Sequence, residues 1–78
     1  MKLLLIKWVD SMSLGGWNAR CKEAEVAYCV TIGIVTYEDN DKIRLSLSYD
    51  KTLDNISESM TIPKCSILRT MKIRVRNE

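Results

Sequence analysis

The first segment of the chain is apolar on both sides of a two-residue period, and several later segments alternate between apolar and polar residues. Residues 2–9 are rich in Leu, Ile, Trp and Val, which predicts a β-strand rather than the start of a signal peptide. Leu4, Ile6 and Trp8 share one face of this strand. The opposite face carries Leu3, Leu5, Lys7 and Val9. We therefore expect burial on both sides, by the core and by a partner or a loop.

Four more strands follow from the pattern, at residues 26–37, 42–49, 58–62 and 67–76. Alternation is strictest in the third, where Ile43, Leu45, Leu47 and Tyr49 are expected on one face. Gly33, inside the second strand, predicts a sharp bend or a bulge. Residues 38–41 predict a hairpin turn, residues 50–57 a polar loop, and residues 63–66 a tight turn or one turn of 3₁₀ helix.

The link between the first two strands predicts a loop followed by a helix. Residues 10–17 are mostly small or polar, and Asn18 is a suitable helix cap. Residues 19–27 contain Ala, Arg, Lys and Glu, which favour a helix of about two turns. The whole chain, residues 1–78, is thus expected to be one mainly β domain: a five-stranded, strongly bent barrel with one short helix between strands 1 and 2. A core this small favours a homo-oligomer, joined through the fourth and last strands.

Composition argues against catalysis. The chain has 78 residues, 46% of them hydrophobic, a net charge of +2, three cysteines and no histidine. It contains no CxxC pair, no recognisable catalytic pair of carboxylates and no phosphate-loop or dinucleotide motif. We therefore expect a binding protein, not an enzyme, with no metal and no cofactor. An odd number of unpaired cysteines fits a reducing cytosol, and no segment is long enough to span a membrane.

The loop before the predicted helix holds most of the candidate ligand-binding residues. Ser11 and Ser13 offer hydroxyl groups, Gly15 and Gly16 offer backbone N–H groups to an anion, and Trp17 offers a ring for stacking. Each has a structural alternative. The glycines are expected more often in a turn that needs positive φ, and Trp17 is expected to cover the end of the core rather than to meet a ligand.

A basic strip at the C-terminal end supplies the other candidates. Arg69 and Lys72 fit two interpretations equally: they hold phosphate groups, because guanidinium and ammonium groups pair with phosphate oxygens, or they lie on the exposed face of an edge strand. Arg74 and Arg76 fit better the exposed face of an edge strand, where positive charge discourages aggregation.

A combination of short motifs resembles a family of small proteins from tailed phages and prophages. The motifs are Lys7-Trp8-Val9-Asp10-Ser11, Gly16-Trp17, residues 29–33 (Cys-Val-Thr-Ile-Gly) and Thr61-Ile62-Pro63-Lys64 with Ser66-Ile67. The resemblance covers nearly the whole chain. It implies a small Sm-like barrel in the cytoplasm of an infected bacterium, and no particular activity.

Three functions remain open from the sequence. The first is an oligomeric phage protein that sequesters a nucleotide-type immune signal, with the Trp17 loop of one subunit meeting Arg69 and Lys72 of the next. The second is a single-stranded nucleic-acid binder, although the modest net charge counts against it. The third is an adaptor that binds a phage or host protein through Leu3, Leu5 and Val9. We favour the first.

Overall fold

The computed structural model describes residues 1–11, 16–17, 19–20 and 23–76. Within these residues the chain forms five strands and one 3₁₀ turn, η1. Their bounds are β1 Leu3–Ser11, β2 Val26–Glu38, β3 Lys42–Asp50, β4 Asn55–Pro63, η1 Lys64–Ser66 and β5 Ile67–Ile73. All strand pairs are antiparallel, in one sheet of order β4-β3-β2-β1-β5. The prediction of a mainly β chain with five strands is confirmed, as is the turn after Pro63.

The predicted helix at residues 19–27 is wrong. Val26 and Ala27 already belong to β2, where they pair with Ser11 and Asp10 of β1. Ala19, Glu23, Ala24 and Glu25 have no regular structure, and the remaining positions lie outside the described residues or form a turn. Local helix propensity is a weak preference, and the strand pairing of β1 overrides it here.

The predicted Sm-like barrel is not closed. The sheet must curl, because β4 and β5 occupy opposite edges of the sheet and yet are joined by the three residues of η1. However, β5 pairs with β1, and no pairing joins β4 to β5. The turn at η1 directs β5 away from β4 instead of folding it back as a hairpin would, so the sheet remains open.

The polar segment predicted as a loop at residues 50–57 is shorter than expected. Ile56 and Ser57 belong to β4, where they pair with Tyr49 and Ser48. The actual turn covers residues 51–54 and is held by the Asp50 carboxylate, which accepts a hydrogen bond from the Thr52 N–H at 2.9 Å. The last strand is also shorter than predicted, because regular pairing ends at Ile73.

The core lies on one side of β1, which we call the inner face. It consists of Leu4, Ile6, Trp8, Ile43, Leu45 and Ile62. Leu4, Ile6 and Trp8 share this face as predicted, and Ile6 and Ile62 are fully buried. The Trp8 indole N–H donates to the Thr31 hydroxyl at 2.9 Å, so its one polar group is satisfied.

The opposite side, the outer face, is mostly apolar along β1 and β2 apart from Lys7, and no described residue covers it. Leu3, Leu5 and Val9 of β1 are half-buried between their neighbouring strands. The neighbouring positions of β2 are more exposed: Val26 48%, Tyr28 78%, Val30 60% and Ile32 58%. Contiguous apolar surface of this kind marks interaction sites in proteins.

Candidate anion-binding site

A cavity of about 520 Å³ opens on the inner face, at the end of the sheet where β1 begins. We call it the lysine pocket. Its rim carries Lys2, Glu38, Lys64 and Lys72, and its walls and floor are Leu4, Ile43, Ile67 and Thr70. Ligand pockets in proteins commonly measure ~300–1,000 Å³ and combine an apolar lining with a few polar groups. The lysine pocket has this composition.

Four separate elements place the charged groups of the lysine pocket. Lys2 precedes β1, Glu38 ends β2, Lys64 begins η1, and Lys72 lies in β5 opposite Leu4. The Lys64 backbone N–H donates to the Asp41 carbonyl at 2.7 Å, which ties η1 to the β2–β3 turn. The pairing of β1 with β5 therefore brings Lys2 close to Lys72, and the curl of the sheet brings both close to Lys64 at η1.

Glu38 is shared by two of the three lysines. Its Oε2 atom lies 2.8 Å from the Lys64 Nζ, and its Oε1 atom lies 3.5 Å from the Lys2 Nζ. Lys72 has no carboxylate within 4.0 Å among the described residues. Three ammonium groups against one carboxylate leave the pocket positively charged. An incoming anion therefore meets Lys72, which pairs with no carboxylate of the described residues, and two lysines that Glu38 neutralises only in part.

Hydrogen bonding from Lys64, supported by the charge of Lys2, lowers the pKa of Glu38 below its ordinary value. Glu38 is thus ionised at neutral pH. All three side chains of this ion-paired group are partly exposed, and exposed ion pairs contribute little to stability. The pairs serve mainly to position the lysines.

The turn beside the pocket is organised by Asp39. Its Oδ1 atom accepts the backbone N–H groups of Asp41 and Lys42, at 2.8 and 2.9 Å. Its Oδ2 atom accepts the Lys42 ammonium and the Tyr37 hydroxyl, each at 2.9 Å. The hydrogen bond from Lys42, with the N–H of Asp41 next in importance, holds the pKa of the Asp39 carboxyl well below its usual range. The turn therefore depends on an ionised Asp39.

We expect acidification to weaken the fold through Asp39. A carboxyl whose pKa is lower in the folded chain than the ordinary 3.8 stabilises the fold above that value, and this stabilisation is lost as the pH falls toward the folded-state pKa. Urea unfolding between about pH 2 and pH 6 should show a falling free energy of unfolding below about pH 4. Asp39→Asn should flatten this dependence and lower stability near neutral pH. Asp41→Asn, in the same turn, is the control, and an unchanged slope in Asp39→Asn would contradict the role of Asp39.

Ser11, the first of the loop residues predicted from sequence, lies at the end of β1 that is remote from the lysine pocket. Ser11 is exposed at the end of β1, and its backbone N–H donates to the Asp10 carboxylate at 2.8 Å. Ser11 lies seven positions along β1 from Leu4, the partner of Lys72, a distance of roughly 24 Å along a strand. Within one subunit, Ser11 and Lys72 therefore lie too far apart to contact one small ligand.

Two described residues of the loop, Gly16 and Trp17, can be compared with the structural alternatives expected for them. Gly16 has a φ of 68°, which agrees with the turn interpretation. Trp17 is fully exposed, at 105% of its reference area, so the expectation that it covers the core of its own subunit is wrong. Ser13 and Gly15 lie outside the described residues.

Arg69 and Lys72 point to opposite faces of the sheet. Lys72 pairs with Leu4 on the inner face, and Arg69 pairs with Lys7 on the outer face. A separation of three residues on a strand always has this effect, because the side-chain period is two. One small ligand within one subunit can therefore contact Lys72 or Arg69 but not both, and the lysine pocket contains Lys72.

Sequence reasoning missed Lys2, Glu38 and Thr70, and it included Lys64 only as the first residue of the C-terminal basic strip. These residues lack a shared motif or a common spacing, and only the curled topology brings them together. The one signal in the sequence was that Lys64 belongs to the same C-terminal run of basic residues as Lys72.

The described residues contain no group of three or more His, Cys, Asp or Glu side chains suited to a metal ion. Within the same residues, no helix has the length and hydropathy needed to cross a bilayer. Cys29 and Cys65 are free thiols, half-buried and exposed respectively. The fold and site thus define a single-sheet, mainly β chain with a basic pocket. Comparison with protein-family models, curated proteins and solved structures found no match.

Proposed function

We propose that the protein is a non-enzymatic binding protein that holds a small, anionic, nucleotide-type ligand in the lysine pocket. The observation that carries this proposal is the combination of three ammonium groups with an apolar floor in one cavity. Ammonium groups pair with phosphate oxygens, and the floor of Leu4, Ile43 and Ile67 offers a surface for a base. The Thr70 hydroxyl adds a hydrogen-bonding group for a ribose or a phosphate.

The resemblance to small phage proteins suggests the biological purpose. A phage benefits from an oligomer that sequesters a nucleotide signal of host immunity, because a bound signal cannot reach its receptor. Sequestration needs affinity and abundance, not a catalyst, and a chain without histidine fits that requirement. The fully exposed ring of Trp17 remains available to a ligand or to a neighbouring subunit.

The first test is native mass spectrometry of the protein with cyclic dinucleotides and ADP-ribose, each compared with its phosphate-free nucleoside. We expect a stoichiometric adduct with the phosphate-containing probes only. If no probe binds, the proposal of a nucleotide ligand fails, and a protein partner becomes the better explanation. Single-stranded DNA is the third probe, and tight binding with a steep salt dependence would favour the nucleic-acid alternative.

Charge variants test whether the lysine pocket is the site. Lys72→Glu is expected to weaken nucleotide binding about tenfold or more at low salt, because it replaces an attraction with a repulsion. Glu38→Gln should tighten binding, because it releases Lys2 and Lys64 from their shared carboxylate. Lys51→Glu changes the same charge on the exposed β3–β4 turn and is the matched control. Equal affinity in Lys72→Glu and Lys51→Glu, measured by titration calorimetry, would place the ligand elsewhere.

A further inference from the structure

Among the described residues, β4, β5 and residues 26–32 of β2 are the stretches of seven or more residues that have a neighbouring strand on one side only, and β4 and β5 are protected. β4 contains Glu58 at a φ of 28°, which distorts its pairing, and ends at Pro63. β5 carries Arg69 and Lys72. Charge, proline and local distortion are the features that keep edge strands from pairing with other chains.

The third stretch has none of these features. Residues 26–32 of β2, which we call the β2 edge, pair with β1 on one side, whereas pairing with β3 begins only at Ile34. The sequence of the β2 edge is Val-Ala-Tyr-Cys-Val-Thr-Ile, with no charge, proline or glycine. An apolar edge of this length is a template for another strand.

The register shows which backbone groups of the β2 edge are free. The Val35 N–H donates to the Lys2 carbonyl at 2.9 Å, so odd-numbered residues of this strand direct their backbone groups toward β1. The N–H and C=O groups of Val26, Tyr28, Val30 and Ile32 therefore point away from β1. Among the described residues they have no backbone partner.

The same four residues expose their side chains on the outer face. Backbone groups and apolar side chains are thus available together along one edge. An added β-strand satisfies both, because its backbone continues the ladder and its side chains extend the apolar face.

We propose that a second copy of this chain pairs with the β2 edge, antiparallel and about a twofold axis at Cys29. In this register every residue of the β2 edge lies opposite a residue of the partner subunit's β2 edge. The two edges then form about eight backbone hydrogen bonds. Tyr28 lies opposite Val30 of the partner subunit, and aromatic–β-branched pairs of this kind are favourable. The edge is self-complementary, as a twofold interface requires, and brings no like charges together.

A cavity at the fork between β2 and β3 agrees with this arrangement. It measures about 360 Å³ and is lined in part by Ile32, Ser46, Leu47 and Met60. In the proposed register, Val26 of the partner subunit lies opposite Ile32 and enters this cavity. The fork therefore accommodates the end of the added strand instead of blocking it.

Proline substitutions test the proposal at single backbone groups. Val30→Pro removes an N–H from the β2 edge and leaves the β1 ladder intact. Thr70→Pro is the matched control, because Arg69 and Met71 direct their backbone groups toward β1 and Thr70 directs its N–H to solvent. Sedimentation equilibrium should show that the wild-type protein is a dimer or a multiple of a dimer. Val30→Pro should associate at least tenfold more weakly, whereas Thr70→Pro should associate as the wild type does. Circular dichroism confirms that each variant is folded.

Several results would overturn the proposal. One is a wild-type chain that is monomeric at all concentrations. Another is a Thr70→Pro variant that dissociates while folded Val30→Pro remains associated, since assembly would then use β5. If Val30→Pro does not fold, Val30→Lys, which leaves the backbone donor in place and adds charge to the edge, provides the same comparison.

Cross-linking provides an independent measurement. In the proposed register Cys29 and Cys29 of the partner subunit form a non-hydrogen-bonded pair, whose Cα atoms are ~4.5 Å apart in antiparallel sheets. This distance is suitable for a disulfide. In a Cys21→Ser, Cys65→Ser variant, diamide should convert the two thiols to a disulfide and accept the two electrons and two protons released. A covalent dimer is expected, whereas the corresponding variant with only the exposed Cys65 should form little covalent dimer. The reverse result contradicts the register.

Discussion

Trp8→Ala is expected to lower the free energy of unfolding by about 3–5 kcal/mol, the usual cost of removing a large buried aromatic side chain. Trp8 is 7% exposed, packs in the core with Leu4 and Ile6, and donates its indole N–H to Thr31 at 2.9 Å. A domain of this size has a total stability of roughly 4–12 kcal/mol. We therefore expect the variant to be largely unfolded or to melt far below the wild type, as measured by circular dichroism and urea titration.

The other tryptophan provides the control for this prediction. Trp17→Ala makes the same substitution at a side chain that is 105% exposed, and we expect no measurable loss of stability. Trp8→Phe retains most of the aromatic volume and removes the donor, so about 1 kcal/mol of the loss should remain from the hydrogen bond. Equal destabilisation by the two alanine substitutions would show that Trp17 also packs in a core, contrary to the structure.

The features that the sequence predicted well are local. Apolar residues at every second position identified β1 and its inner face of Leu4, Ile6 and Trp8, and Pro63 marked the end of β4. Such patterns depend on the two-residue period of a strand and on the missing N–H of proline, so they can be read without knowing the fold.

The third strand shows where local reading fails. Strict alternation placed Leu47 on the same face as Ile43 and Leu45, yet Leu47 is 67% exposed. Ser46, expected on an exposed polar face, is 1% exposed, and its hydroxyl lies 2.6 Å from the Thr36 hydroxyl. The cause is the fork at this point: beyond Ser46, β3 leaves β2 and pairs only with β4. The point at which two neighbouring strands separate depends on the whole sheet. The periodicity of a single strand gives no information about it.

The candidate site was even less accessible to prediction. Lys72 was identified from its place in a basic strip, but its charged neighbours in the lysine pocket come from the residue before β1, the end of β2 and the start of η1. Their proximity results from the curl of the sheet. A basic strip therefore indicated the type of ligand chemistry, and only the topology showed which of its residues share a cavity.

Gly33→Val is expected to destabilise the protein by about 3 kcal/mol or more, because overpacking a close contact of this kind costs ~1–3 kcal/mol for small additions and more for larger ones. Gly33 is buried next to the fork, and a Cβ atom built on it would lie 3.0 Å from the Ser46 carbonyl oxygen and 3.1 Å from the Leu45 Cβ. The sequence suggested a bend or a bulge at this glycine. The structure indicates a more specific reason: β3 approaches so closely that β2 has no space for a side chain.

A graded series makes this prediction sharp. Gly33→Ala adds the single clashing carbon and should cost less than Gly33→Val, which adds two more. Ala27→Val is the matched control, since Ala27 lies on the same face of β2 at its open end, half-buried and beyond the pairing with β3. The free energies of unfolding should decrease from Ala27→Val to Gly33→Ala to Gly33→Val. If Gly33→Val is as stable as the control, β3 must be able to move away from β2. The fork would then not be rigid, and the explanation given for the exposure of Leu47 and the burial of Ser46 would be wrong.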